Sequence, residues 1–280
     1  MPVEILGILF ALMAAATWGT GDFSGGVAVK GTDQFRVVFV MVIPGILILA
    51  LLAVAFREPL PSLTDVLWAA GAGTCGALGI AALYRGLSIG SAATVAPTAA
   101  VLGAGLPMAF GSLLIGLPGP ARMAGFLLAM AGIWLVSRTA GGHAKGDSQG
   151  VAHAIIAGTG FGSYFILMGQ VEHGLVFCPL TCAKISALGI TLLILLVRRE
   201  GIPRLPGSPL ALLAGVFDAG GNAFYMLARQ YTRIDVAAVL SSMYPIVTVI
   251  LAGVVLRQKV SPAQWCGITL CMAAIALIVS

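Results

Sequence analysis

A carboxylate inside an apolar run needs a reason to be there, and Asp218 is the clearest case in this sequence. It stands about ten residues into the run that begins at Ser208, roughly 15 Å along a helix that rises 1.5 Å per residue. Asn222, Tyr225 and Arg229 follow at helical spacings and extend one polar stripe. Beside it Ala211, Gly215, Ala219 and Ala223 form a stripe of small residues suited to close helix contact. Lys184 stands about six residues into the preceding run, so in an antiparallel neighbour its depth differs from that of Asp218 by only about 6 Å. A charge at such depth is expensive unless it faces water, a partner or a bound solute. The pair can therefore exchange a proton, bind a polar solute or hold each other. The bland alternatives are a buried structural hydrogen bond for Asp218 and a lysine that snorkels to the nearer surface.

A second set of charges lies near the ends of apolar runs. Asp22, Arg36 and Arg85 fall at one level, Glu172 and Arg229 at the other. Each level can carry a breakable ion pair, although solvated pairs of this kind contribute little to stability. Ser241, Ser242 and Tyr244 precede Pro245, and Thr94, Pro97 and Thr98 occupy an earlier run. Proline frees carbonyls for a cavity to use, whereas Ser and Thr can equally bond back within their own helix. Trp18, Tyr84, Tyr164 and Tyr225 offer aromatic surface to a solute, or mark the edges of the bilayer. The five cysteines sit in apolar runs without a histidine beside them, which suits packing rather than a metal or a disulfide.

Enzymatic motifs are scarce. Gly19-Thr20-Gly21-Asp22 reads as the GxGD of intramembrane aspartyl proteases, with Asp218 as a second acid. The order of the two acids is reversed, the usual Pro-Ala-Leu is missing, and Asp22 reads as the edge of a span. HExxH, Walker and nucleophile-elbow patterns are also missing, so neither catalysis nor a cofactor is expected.

The elements that must position these residues follow from composition. The 280 residues are 59% hydrophobic and 9% charged, far from the quarter charged of a soluble domain and opposite to a disordered chain. Ten apolar runs of bilayer length are predicted at 4–23, 34–55, 64–86, 92–115, 120–138, 150–170, 178–197, 208–230, 236–256 and 262–279. The fold class is an all-α polytopic membrane protein. The first run lacks a basic leader and is long enough to span, so it reads as a helix rather than a signal peptide. The net charge of +5 is spread through loops, with no cluster beyond Arg198-Arg199, and no nucleic acid is expected.

The halves repeat. Gly7, Ala11, Ala14 and Gly19 match Gly150, Ala154, Ala157 and Gly162 at one separation. Ala70, Gly71, Gly76, Leu83 and Arg85 match Ala214, Gly215, Gly220, Leu227 and Arg229 at nearly the same one, as do Pro120 and Gly125 with Pro262 and Gly267. The predicted domains are residues 1–138 and 150–280, joined by a linker at 139–149. Five spans is an odd number, so the second half must enter the membrane upside down. Inverted repeats with a site at their interface recur in secondary transporters.

These residues resemble a known family, the drug/metabolite transporter superfamily and within it the bacterial EamA-type ten-helix transporters. The resemblance rests on Trp18-Gly19 closing the first helix, Arg36 opening the second, and AAVLSSMYPIVTVILAGVVLRQKVSPAQWCG at 237–267. Gln258 stands where relatives commonly carry Glu. The expectation is a secondary transporter in the plasma membrane, moving a small-molecule substrate such as an amino acid or sugar by alternating access. Its partners are then the lipid bilayer and, where transport is driven, a proton or another ion; a monomer or weak oligomer is expected. Trp18, Tyr164, Lys184, Asp218, Asn222, Tyr225, Ser241, Ser242 and Tyr244 are the expected cavity, and Asp22, Arg36, Arg85, Glu172 and Arg229 the expected gates. A receptor or scaffold is the competing class. Counting Lys and Arg places the termini outside by the positive-inside rule, whereas the resemblance implies cytoplasmic termini.

Overall fold

The computed structural model describes residues 3–29, 32–89, 92–137, 148–203, 208–257 and 259–279. These residues form α1 (Val3–Ala28), α2 (Gln34–Ala55), α3 (Leu63–Ile89), α4 (Ala92–Ile115), α5 (Pro120–Ser137) and, in the second half, α6 (Ser148–Gly169) and α7 (Phe177–Val197). Then come α8 (Pro209–Tyr231), α9 (Ile234–Ser241), α10 (Tyr244–Val255) and α11 (Pro262–Val279). Among the described residues nine stretches are long and apolar enough to cross a bilayer, and Pro262–Ile278 is a shorter apolar tenth. The linker lies outside the described residues except for 148–149, which open α6.

One span is discontinuous. Ile234–Val255 is long and apolar enough to cross as one span, but it divides into α9 and α10 at Ser242 and Met243. Pro245 has no N–H to continue the ladder, so the chain tightens, with Met243 N on the Leu240 carbonyl at 3.2 Å. α10 restarts with that proline in its first turn, where a missing donor costs nothing. α1 differs from its expected end in the other direction. It continues through Gly-Thr-Gly-Asp to Ala28, and the Thr20 and Ser24 hydroxyls bond back to carbonyls one turn earlier. Asp22 therefore lies inside a helix and not at its edge.

Packing is mostly between halves, and it repeats. α1 lies on α8 as α6 lies on α3; α2 lies on α8 as α7 lies on α3. The pairs α2–α7 and α5–α11 meet across the axis that relates the two. Gly7 is beside Ala228 and Gly25 beside Ala214, so α1 runs antiparallel to α8. Gly86 is beside Gly150 and Gly71 beside Leu167, so α3 runs antiparallel to α6. With successive spans alternating, α6 enters opposite to α1, and the repeats are inverted.

Close approach holds these crossings, because lipid offers helices no hydrophobic drive to associate. A Cβ at Gly73 would strike the Ala183 backbone, and one at Gly215 would strike that of Met41. These two contacts are the same crossing in each half. Likewise Gly79 faces Phe161 as Gly221 faces Trp18, and Gly86 meets Gly150 as Ala228 meets Gly7. The contacts correct the sequence match of α3 to α8 by two residues, which is roughly 200° around a helix of 3.6 residues per turn. Arg85 and Arg229 are therefore not equivalent: Arg85 is exposed, whereas Arg229 is buried.

The two membrane faces can be named by their loops. The near face carries the turns after α2 and α6, and the far face carries Asp33 and the turn after α7.

Candidate substrate cavity

Between the faces the helices enclose a cavity of about 100 Å³. α7 and α8 supply its ion pair, Lys184 Nζ with Asp218 Oδ2, with side chains 12% and 13% exposed. The other oxygen of Asp218 accepts a hydrogen bond from Asn222 Nδ2 at 2.9 Å. Asn222 in turn accepts from the Tyr164 hydroxyl of α6. Spacing explains the order: Asp218 and Asn222 are one turn apart on α8, and Gly76 of α3 leaves room for the Tyr164 ring. The result is a connected polar chain from Tyr164 to Lys184 within an otherwise apolar wall.

Asp22 lines the same cavity, and α1 meets α8 beside it, where a Cβ at Gly21 would stand 3.5 Å from Asp218 N. The sequence placed it at a mouth because Gly19 to Gly26 reads as a helix end; packing of Gly19, Gly21 and Gly25 against α10, α8 and α3 carries α1 onward and moves it inside. Trp18, Ser242 and Tyr244 also line the wall. Ser242 is at the break between α9 and α10, where a discontinuous helix puts irregular backbone beside a cavity. Tyr225 and Ser241 lie behind the wall. Tyr225 is fully buried and donates to the Phe165 carbonyl at 3.1 Å, while Ser241 donates to that of Ala11 at 3.3 Å. Tyr225 packs tilted against Phe165 with centroids 4.7 Å apart, and Trp18 meets Phe165 edge-on at 5.6 Å. Gln258 and the side chains of Thr94 and Pro97 lie outside the described residues.

The remaining charges sit toward the faces. On the far face Arg36 donates to the Gly201 carbonyl at 3.2 Å, Arg198 approaches Asp33 at 3.7 Å, and the Arg198 guanidinium covers the Phe35 ring at 4.6 Å. On the near face Arg229 donates to the carbonyls of Gly169 and Val171 at 2.9 and 2.6 Å, ending α6. It does so in place of the expected pair with Glu172, whose side chain is exposed and whose backbone N–H goes to Asp65 at 2.9 Å. Arg233 chelates Asp235 and reaches the Gly116 carbonyl at 2.9 Å. Sequence reasoning missed Phe161 and Phe165, although Trp18 and Phe161 stand at the separation that matched Gly19 to Gly162.

The family model described as the EamA-like transporter family matches residues 5–138 and again 148–280. The chain belongs to the EamA-like transporter family. A protein of known crystal structure superposes on it with a TM-score of 0.75 at 18% sequence identity, covering 97% of this chain and 95% of that one. At that identity the likeness concerns the fold alone. No curated protein matches the sequence. Membership makes this EamA-like chain a multi-pass membrane protein of a transporter family, with the bilayer as its surroundings and a small solute as its substrate.

Proposed function

We propose that this chain is a secondary transporter of a small polar or amphipathic metabolite, working by alternating access in the plasma membrane. The observation that carries the reading is the Lys184–Asp218 pair, enclosed at the seam of two inverted halves with Asp22 facing it. With both carboxylates ionised the three groups sum to one negative charge. One proton, or one cationic group of a solute, neutralises the site, and a neutral site crosses the low-dielectric middle of the protein at far lower cost. Ligand pockets run to several hundred Å³, so a metabolite enters only as the walls part. Rigid halves rocking about the cavity supply that motion.

The same two aspartates are what the protease reading needs. Lys184 on Asp218 argues against it, because an aspartyl dyad shares its proton between the acids and not with a lysine.

The test is uptake into proteoliposomes across amino acids, sugars and nucleosides, with and without a pH gradient. Accumulation of one class driven by the gradient is expected, and Asp218→Asn should abolish it while sparing exchange at equal pH. Wild-type uptake that ignores the gradient, with Asp218→Asn intact in both modes, makes the carboxylate structural and the protein a facilitator. Transport of no solute at all would favour the receptor or scaffold.

A further inference from the structure

The second helix of each half ends in the same way. After α2, Arg57 adopts a left-handed backbone (φ 52°) and Glu58 N returns to the Ala53 carbonyl at 2.9 Å. After α7, Arg199 does so (φ 56°) and Glu200 N returns to the Leu195 carbonyl at 2.9 Å. The two glutamates are thus placed by one motif, one on each membrane face, and both are half-buried.

Only one of them is engaged across the seam. The Glu58 carboxylate accepts the N–H groups of Val176, Phe177 (2.7 Å) and Cys178 (3.1 Å), which open α7. That helix has no cap of its own, since Val176 stands at the N-cap without a side-chain bond. The first turn of a helix leaves its donors unpaired and carries partial positive charge, so a carboxylate there is held strongly. α2, the counterpart of α7, caps itself: Asp33 accepts Phe35 N–H at 2.8 Å. Among the described residues Glu200 makes no bond to the start of α2.

We propose that Glu58 is the latch of the near mouth, tying the end of α2 to the start of α7, and that the resting protein is closed on that face. The inference rests on the alternating-access reading and names the contact that must break for the near side to open. α2 and α7 pack against each other and both line the cavity, through Met41, Val42, Leu180 and Lys184, so parting their near ends opens it. Asp65 and Gln230 grip the same connection, through Glu172 N at 2.9 Å and Gly174 N at 2.8 Å. The far ends of α2 and α7 are joined without such a cap, by the 3.7 Å approach of Arg198 to Asp33, by the Arg198 guanidinium over the Phe35 ring and by Arg36 on Gly201.

The experiment places a single cysteine at Leu180, in a background lacking the native five, and reads its labelling by an impermeant maleimide added from the near side. Glu58→Ala should speed labelling about ten- to a hundredfold, as loss of charge-assisted hydrogen bonds worth about 1.5–3 kcal/mol allows. Glu200→Ala should leave the rate unchanged. Val176→Asp in the Glu58→Ala protein restores a cap to α7 from within, and with it any lost thermal stability, but labelling should stay fast. That double variant carries the test if the single one folds poorly. Unchanged labelling in Glu58→Ala, or a return to the slow rate once α7 is capped from within, overturns the latch and leaves Glu58 a helix cap. Fast labelling in a protein that transports no solute keeps the latch and removes the transporter reading.

Discussion

The two walls of the cavity are matched in position and unmatched in chemistry. Trp18 and Phe161 occupy corresponding places, as do Val42 and Lys184, Gly76 and Asp218, Ile80 and Asn222, and Ala100 and Ser242; all ten line the cavity. In four of these five pairs the polar member belongs to the second half. The first half contributes Asp22, whose counterpart is Phe165. A duplicated backbone therefore supplies the shape, and substitutions on one copy supply the charge. The lesson is directional. Two inverted halves of identical chemistry would make the two open states equal in energy; charges on one half make them unequal.

The largest effect should come from breaking the pair that has no equivalent in the first half. Lys184→Met leaves Asp218 enclosed without its partner and should cost about 3–5 kcal/mol, whereas Lys184→Met with Asp218→Asn should cost much less. At the matched position, Val42→Ala loses only apolar burial, about 1–2 kcal/mol. Thermal unfolding of the purified variants measures all three. Similar losses for Lys184→Met and Val42→Ala would mean that the walls differ in composition and not in energetics.

The complementary prediction addresses what the halves share. Gly73→Leu and Gly215→Leu force a side chain into the same backbone crossing, and each should cost about 1–3 kcal/mol of packing strain. The two should agree closely, since Ala183 and Met41 present the same carbonyl. A large loss at one glycine and none at the other would show that the scaffold is not symmetric at the α3–α7 and α8–α2 crossings.

Arg229 and Arg85 come next. The sequence match paired them, and the helix contacts separate them. Arg229→Ala removes two charge-assisted bonds to the end of α6 and should cost about 1.5–3 kcal/mol. Arg85→Ala, at an exposed position, should stay within about 0.5 kcal/mol. Equal effects in unfolding would restore the original register.

These cases show what the sequence held. Spans are legible because each needs about 20 apolar residues and little else, and five per half forces inversion. The depth of Asp218 and its reach to Lys184 follow from residue counts along regular helices. The place of Asp22 does not, because Gly-Thr-Gly-Asp has the composition of a helix end and only packing carries α1 past it. Register was misread for a related reason: Ala and Gly matches in such a composition recur within a residue or two, and which face they occupy is decided by the neighbouring helix. Glu58 was invisible as well, because the donors it caps lie in the other half, and a valine at an N-cap signals only that something else must serve.

The smallest effect concerns the aromatic pair, where the walls come closest to matching. Trp18 packs against Gly221 and Phe161 against Gly79, so the aromatic ring of each half sits on a glycine of the other. Trp18→Phe makes the two sides alike. It forfeits part of the edge contact with Phe165 and the tilted contact with Tyr225 at 6.1 Å, and aromatic pairs of this kind contribute about 0.5–1.5 kcal/mol. Apparent substrate affinity should therefore shift by about two- to tenfold with the fold intact, as measured by concentration-dependent uptake in liposomes. A charged solute held by Lys184, Asp218 and Asn222 would still find all three in place. Abolished transport with unchanged thermal stability would mean that Trp18 does something Phe161 does not, and that the asymmetry of the cavity extends from its charges to its shape.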